Sequence, residues 1–393
     1  MLLPTAEAGQ YRVIGVDGTD LGGFTPFSDD FSGEVRTAVG DVTGDFRPDL
    51  IVAAGPGGGS RVRVLDGVTL VPVADFLAFE PAFRGGVYVA AGDVNRDGHA
   101  DIVVGAGEGG GPVVKVFDGQ NPAAALTQYF AFEESFRGGV RVAAGDVDPG
   151  GYGLGAAEIV AGAGPGGAPR VSVARADGTP VTSFYAYESG LRSGVSVAIT
   201  GGNTLDGGQD IVLTAPGVGG GPLVKVFNGT TGSESRSFFA GAPDDRGGRL
   251  ITADRSGWFF ATTPGAGGTD LAVYSTTGQS DWTLPAGQRR VRGLVLGVDP
   301  VARTVTIRVP DEPGDLSLIF DPGSSTPRLP AGTDRTITVG PGTVITRDGA
   351  PAQLSDLRTD TFLRDELDLR VSADGHILSL SARPVGYRLP PVE

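Results

Sequence analysis

The chain has 393 residues, with 46 acidic against 31 basic, a net charge of −15 and 66 glycines. That balance repels phosphate backbones and disfavours broad nucleic-acid binding. Zero cysteine excludes disulfides, thiolate metal sites and cysteine nucleophiles, and two histidines leave no multi-histidine metal centre. The glycines follow no three-residue period, so collagen is excluded, and no apolar run approaches the roughly 20 residues of a membrane-spanning helix.

The first ten residues lack the basic and apolar regions of a secretory leader. The text after Met1 reads like the middle of a repeat, so a trimmed or mature form is expected. The repeat is plainest from residue 86, GVYVAAGDVNRDGHADIVVGAGEGGGPVVKVFDG, and returns from residues 33, 139 and 194, with a faded copy from 248. The acid opening its second apolar run falls at Asp49, Asp101, Glu158 and Asp210, with spacings of 52, 57 and 52.

Each unit alternates short β-branched or aromatic runs with Gly, Pro and Asp punctuation, the signal of strands and turns. In the clearest unit four strands are predicted, over 87–92, 101–105, 113–117 and 126–132. Four short antiparallel strands recurring every ~40–50 residues predict a β-propeller. One such sheet cannot bury both faces alone, whereas radially stacked sheets cover one another.

Closure leaves two readings. Residues 11–18 (YRVIGVDG) match a third strand, 23–27 (GFTPF) a fourth, and 2–9 a worn second strand. A sixth blade shared between the termini is therefore favoured over five blades, with residues 292–298 (RGLVLGV) as its innermost strand. The propeller is expected over residues 1–287. From 288 to 393 only 10 glycines remain and the repeat is gone. Alternation there predicts strands over 290–310, 316–321, 335–347, 366–372 and 376–382, a short helix near 351–357, and a long hairpin loop over 311–333. These make a small β-barrel-like, OB-like domain.

The turn between first and second strands carries the candidate chemistry. In the second clear repeat, Asp93, Asn95, Asp97, His99 and Asp101 stand at positions 1, 3, 5, 7 and 9. In the first, Asp41, Thr43, Asp45, Arg47 and Asp49 do so. Side-chain oxygens at 1, 3, 5 and 9, with a main-chain carbonyl at 7, suit Ca²⁺, a hard cation taking 6–8 oxygens. Gly98 at position 6 permits the sharp turn, and Phe46 replaces it in the first loop. The plainer alternative is an ordinary Asp/Asn/Gly turn, but three acids within nine residues repel one another unless a cation sits among them. The third loop, Asp146, Asp148 and Glu158, has an insertion that breaks the spacing. The fourth has Gly202 and Thr204 where acids stood, and the fifth, around Asp254, has lost them.

GDVNRDGHADIVVGAG followed by VVKVF resembles the FG-GAP or VCBS repeat, found in the propeller heads of integrin α-chains and in many bacterial surface proteins. The resemblance covers about residues 1–285. It implies Ca²⁺ bound on one propeller face by the two loops just named, with His99 and Arg47 acting through their carbonyls. Integrin heads have seven blades, which this chain does not supply, so no integrin-like partner is implied.

The glycine-rich GAGEGGGP (105–112) superficially suggests a phosphate loop, but it leads into a strand where a phosphate loop requires a helix, and a wide turn is expected. Acids stand four residues before arginines at Glu80/Arg84, Glu133/Arg137 and Glu188/Arg192, predicting repeated ion pairs at the blade crossovers, with a ring of ligand-binding arginines as the alternative. The aromatics beside them (Phe76, Phe79, Phe83, Phe130, Phe132, Phe136, Tyr185, Tyr187) are expected in the inter-blade core. Catalysis finds little support: His376 has no evident partner and no nucleophile elbow is present.

The sequence thus predicts a calcium-binding, non-enzymatic, extracellular or cell-surface module for adhesion, interaction or structure. Its partner is a protein or glycan at the cell surface, not nucleic acid. The competing readings are a lectin-like carbohydrate-binding propeller and a polysaccharide-acting enzyme on the propeller funnel.

Overall fold

The computed structural model describes the chain except for residues 1, 5–8, 15–19, 28–30, 32, 123, 148–154, 202–209, 254–257, 266–267, 285–288, 311–317, 320–331, 360–364, 372–376, 385–386 and 389–393. It is an all-β protein whose described strands form five four-stranded antiparallel blades, a three-stranded N-terminal sheet, a seven-stranded sheet near the C-terminus and a two-stranded pair.

Blade two shows why the repeat folds this way. Its strands are Val87–Gly92, Asp101–Ala106, Val113–Phe117 and Ala125–Phe130, close to the four predicted spans. The second strand is buried along its whole length, and the fourth alternates between exposed and half-buried residues. A strand enclosed on both faces reads as a continuous apolar run, and one at the rim alternates. The same pattern recurs in blade one (35–77), blade three (140–185) and blade four (195–239).

The core lies between blades. Ile51, Val62 and Val64 of blade one pack with Val87, Ile102 and Val104 of blade two. Val103, Val114 and Val116 of blade two meet Val140, Ile159 and Ala161 of blade three. The two following boundaries repeat the arrangement. Each such side chain, fully removed from water, contributes about 1.5–3 kcal/mol, which a single sheet has no means of gaining.

Hydrogen bonds also join the blades in register. At the wide glycine turns, Gly57, Gly109, Gly166 and Gly219 donate N–H to the carbonyls of Arg84, Arg137, Arg192 and Arg246 in the next crossover, at 2.8–2.9 Å. These four glycines have φ between +85° and +94°, a conformation open to glycine at no steric cost. The wide-turn reading holds, since strand follows strand through each of these turns.

Two expectations about the crossovers are corrected. Among the described residues none of the three predicted Glu–Arg pairs forms. Arg84 Nη1 instead donates to the carbonyls of Pro81 and Phe83, Arg137 to those of Glu134 and Phe136, and Arg192 to those of Ser189 and Leu191. The tight reversal folds each guanidinium back over its own carbonyls before it can reach the acid. Of the flanking aromatics, Phe76, Phe79, Phe83, Phe132, Phe136 and Tyr187 pack on the core. Phe130 and Tyr185 are exposed, because each stands on an outward position of an alternating rim strand.

The sixth-blade reading is corrected as well. Leu2–Pro4, Tyr11–Ile14 and Asp20–Phe24 do pair as a second, third and fourth strand would. Residues 292–298, however, lie in strand Arg289–Asp299, which pairs with Thr304–Pro310 and Asp365–Val371. The propeller has five four-stranded blades.

The chain divides into two compact units, 25–283 with 6–10, and 284–393 with 1–5 and 11–24. In the second unit, Gly332–Thr338, Thr304–Pro310, Arg289–Asp299, Asp365–Val371, Ile377–Pro384, Val344–Arg347 and Ala350–Pro351 lie side by side in that order. Val344–Arg347 runs parallel to Ile377–Pro384 and the other pairs are antiparallel. Among the described residues the two end strands are not paired with each other. A core of Val295, Ile307, Leu354, Leu367, Leu369 and Leu380 lies on this sheet. The predicted short helix is a single 3-10 turn, Leu354–Asp356. Among the described residues no helix is long and apolar enough to cross a membrane.

Candidate metal centre

The second strand's opening acid anchors each loop from beneath. Asp49 is buried, and its Oδ2 accepts hydrogen bonds from Val42 N at 2.9 Å and Thr43 N at 2.8 Å. Its Oδ1 accepts from Gly67 N, in the turn between third and fourth strands, at 3.0 Å. Asp101 repeats this in blade two, accepting from Val94 N at 2.9 Å and Gly119 N at 3.0 Å. Glu158 accepts from Val147 N at 3.1 Å. The position-9 acid therefore has a structural task in addition to any ligand role.

The position-1 acid caps the loop from above. Asp93 Oδ1 accepts from Arg96 N at 2.6 Å and Asp97 N at 3.2 Å, and Oδ2 from Gly98 N at 3.0 Å. Asp41 does the same for Gly44, Asp45 and Phe46, at 2.7, 3.1 and 2.8 Å. Position 6 needs positive φ: Gly98 has φ +88°, but Phe46 in the first loop has φ +64° at position 6 and is 95% exposed. A side chain in that left-handed region costs roughly 1–2 kcal/mol.

Within the second loop Asn95 Oδ1 accepts from Asp97 N at 2.9 Å, Asn95 Nδ2 donates to Asp97 Oδ2 at 3.0 Å, and Asp97 Oδ1 accepts from His99 N at 2.9 Å. The loop is tied to blade one. Ala100 N donates to the Asp41 carbonyl at 2.7 Å, and His99 Nδ1 lies 2.9 Å from the Val42 carbonyl oxygen, which as an acceptor makes Nδ1–H the donor. Gly44 leaves room for that ring, since a Cβ there would lie 2.3 Å from it. Ala157 N likewise donates to the Asp93 carbonyl at 2.8 Å.

Three carboxylates converge at this loop. Asp97, Asp101 and Asp118 each place an oxygen within 4.8 Å of the others. Asp118 opens the turn between third and fourth strands and was absent from the sequence-derived ligand set. Asp118 Oδ1 also accepts from Gln120 N of its own turn at 2.9 Å; its counterpart in blade one, Asp66, accepts from Thr69 N and Thr69 Oγ1, both at 2.7 Å, and joins no such cluster among the described residues. The signal available in sequence was position: both lie 17 residues after the buried acid. The cost of the cluster appears in Asp101, whose carboxyl is pushed up to about 6, first by burial and then by the negative charges of Asp97 and Asp93, against the pull of two backbone N–H donors.

A donor set made only of oxygens, three of them carboxylates in mutual repulsion, fits a hard divalent cation in blade two. In the first loop Asp41, Asp45 and Asp49 form no comparable three-carboxylate cluster among the described residues, while Thr43 and Arg47 are exposed. In the third loop Asp146 is buried, accepts from Gly155 N at 2.9 Å through Oδ2, and holds Oδ1 without a hydrogen-bond partner among the described residues. Asp148 lies outside the described residues, as do Gly202, Thr204, Asp254 and His376.

Residues 41–104 match the FG-GAP-like repeat model. With the loops and blades just described, those residues form part of a β-propeller that carries an FG-GAP-like repeat. No curated protein matches the sequence. Among solved structures, the chain is similar to one in the crystal structure of a nidogen/laminin complex, at 10% identity and TM-score 0.46, covering 72% of this chain and 92% of that one. It is also similar to the Dos1 propeller, at 11% identity and TM-score 0.39, covering 66% and 62%. A chain of the COPII outer coat vertex on membranes matches at 10% identity and TM-score 0.41, covering 71% and 73%.

Proposed function

We propose that this chain is a calcium-stabilised, non-catalytic interaction module that works outside the cell or at its surface. The observation that carries the reading is the convergence of Asp97, Asp101 and Asp118 oxygens within 4.8 Å at the hairpin face of blade two. Asp93 and Asn95 shape the loop, and the His99 carbonyl completes the oxygen set that the repeat type implies. Asp41, Thr43, Asp45, Arg47 and Asp49 form the second candidate site, and Asp146 with Glu158 the third. The cation's task is structural: it cancels carboxylate repulsion where loops of adjacent blades are hydrogen-bonded together. The remaining face and rim are then held rigid for a protein or glycan partner. An extracellular setting suits this, because loosely clustered sites need millimolar calcium.

Anything that binds the folded state alone raises its stability by mass action. Thermal unfolding in EDTA and in excess Ca²⁺ tests the reading, together with a count of bound ions by calorimetry. Melting should rise in Ca²⁺ and fall in chelator, and Asp97→Ala should remove one bound ion. Identical melting in both conditions would reject the assignment.

A further inference from the structure

Between blades two and three two hollows open side by side, away from the calcium loops, and Phe136 lines both. The larger, of about 390 Å³, carries Glu108 and Arg137. The smaller, of about 120 Å³, carries Glu133, Arg170 and Tyr185. Gly138 and Gly167 seat the Phe136 ring, since a Cβ on either would lie within 2.8 Å of it. The ring also meets Phe132 edge to face, with centroids 6.0 Å apart.

The repeat provides an internal comparison. Leu77, Phe130, Tyr185 and Phe239 occupy one position of successive fourth strands, opposite Arg61, Val113, Arg170 and Leu223. All four are large and exposed, but their surroundings differ. In blade three Arg170 crosses to the preceding crossover and grips Glu133 through two hydrogen bonds, at 2.7 and 3.0 Å, with its guanidinium 4.9 Å over the Phe132 ring. In blade one Arg61 also lies over a ring, that of Phe27 at 5.6 Å, but pairs with Asp75 of its own sheet and not with a crossover acid, and blades two and four have aliphatic residues there. Where one copy of a scaffold departs from the rest by adding polar groups beside an exposed aromatic, the departure calls for a ligand.

We propose that this cleft binds a neutral saccharide. Tyr185, which is exposed, offers an aromatic face to the C–H face of a pyranose, and the half-buried Phe136 lines the hollow beside it as an apolar wall. Glu133, 70% exposed, accepts from neighbouring hydroxyls, and Arg170, fixed by its bidentate pairing, donates to hydroxyl or ring oxygens. Glu108 and Glu133 at the rim, on a chain of net charge −15, oppose phosphorylated or acidic ligands. The larger hollow falls within the ~300–1,000 Å³ typical of ligand pockets and leaves room for a second sugar ring. This deepens the interaction-module reading but requires no bound cation.

Saturation-transfer NMR and titration calorimetry on the full chain, with methyl α-mannopyranoside, methyl β-galactopyranoside and cellobiose, test it. At least one sugar should bind, and Tyr185→Ala should weaken it ~10-fold or more, about 1.4 kcal/mol. Glu133→Gln should also weaken it, without a change in Tm. Phe239→Ala, the same position in blade four, should leave binding unchanged. Absence of binding by all three sugars at ~10 mM, or equal loss in Phe239→Ala and Tyr185→Ala, would overturn the proposal. The same titrations in EDTA separate the two readings: sugar binding that survives while Tm is insensitive to Ca²⁺ refutes only the calcium assignment.

Discussion

Replacing Asp101 by Asn isolates the electrostatic cost of the second loop. The carboxyl is raised from its usual 3.8 to about 6, chiefly by burial. At about 1.4 kcal/mol per unit, its ionisation costs the metal-free fold at most ~3 kcal/mol, less what solvent screening removes. The direction follows from proton binding. Between roughly pH 4 and 6 the folded protein holds a proton at Asp101 that the unfolded chain has released, so stability falls as pH rises through that window. Asn cannot titrate, and it keeps an oxygen acceptor for only one of the two donors, Val94 N and Gly119 N, at a cost of ~1 kcal/mol. In EDTA the wild type should therefore lose up to ~2 kcal/mol more than the variant between about pH 4.5 and 7.5. The variant should equal or exceed it at the upper end. Excess Ca²⁺ should reverse the order at neutral pH, because only the wild type offers the charge. Urea unfolding at the two pH values, with and without metal, measures this as a difference of differences, which cancels the other acids. Parallel pH slopes for the two proteins in EDTA would refute the reasoning.

Three further outcomes are expected. Tyr187→Phe should lower stability by ~1–2 kcal/mol in denaturant titration, since its hydroxyl joins the blade three crossover to the Thr214 and Leu223 carbonyls of blade four at 2.9 Å each. Phe46→Gly should stabilise the first loop by up to ~1 kcal/mol by relieving positive φ, offset in part by greater freedom of the unfolded chain; a fall in Tm would contradict the strain assigned to it. Gly67→Ala should destabilise by at least ~1–3 kcal/mol, because its Cβ would sit 1.8 Å from the Pro48 carbonyl oxygen, and loss of the urea midpoint shift would show that this turn gives way freely.

The loops illustrate how far local text reaches. Asp93, Asn95, Asp97 and Asp101 lie within nine residues, and their hydrogen bonds run mainly to backbone groups of the same loop, so spacing alone announces them. Asp118 contributes from a different hairpin turn. Only the antiparallel register that sets Phe117 opposite Ile102 brings it to Asp101, and FDG by itself reads as an ordinary turn. The crossover arginines mislead for the same reason. An acid four residues away is a near neighbour on a helix, whereas a reversal turns the guanidinium back onto its own carbonyls.

Strand boundaries, the four-strand period and the buried second strand were all determined by the sequence, because alternation and glycine punctuation act over a few residues. Blade number was not. Residues 292–298 have the text of an inner blade strand, yet they pair with Thr304–Pro310 and Asp365–Val371. Strand pairing is a competition among distant partners, and pattern within one segment carries no record of which partner wins. The cleft at Phe136 belongs to the tertiary structure for the same reason: Glu133 and Arg170 stand 37 residues apart, and only the stacking of blade on blade brings them into contact.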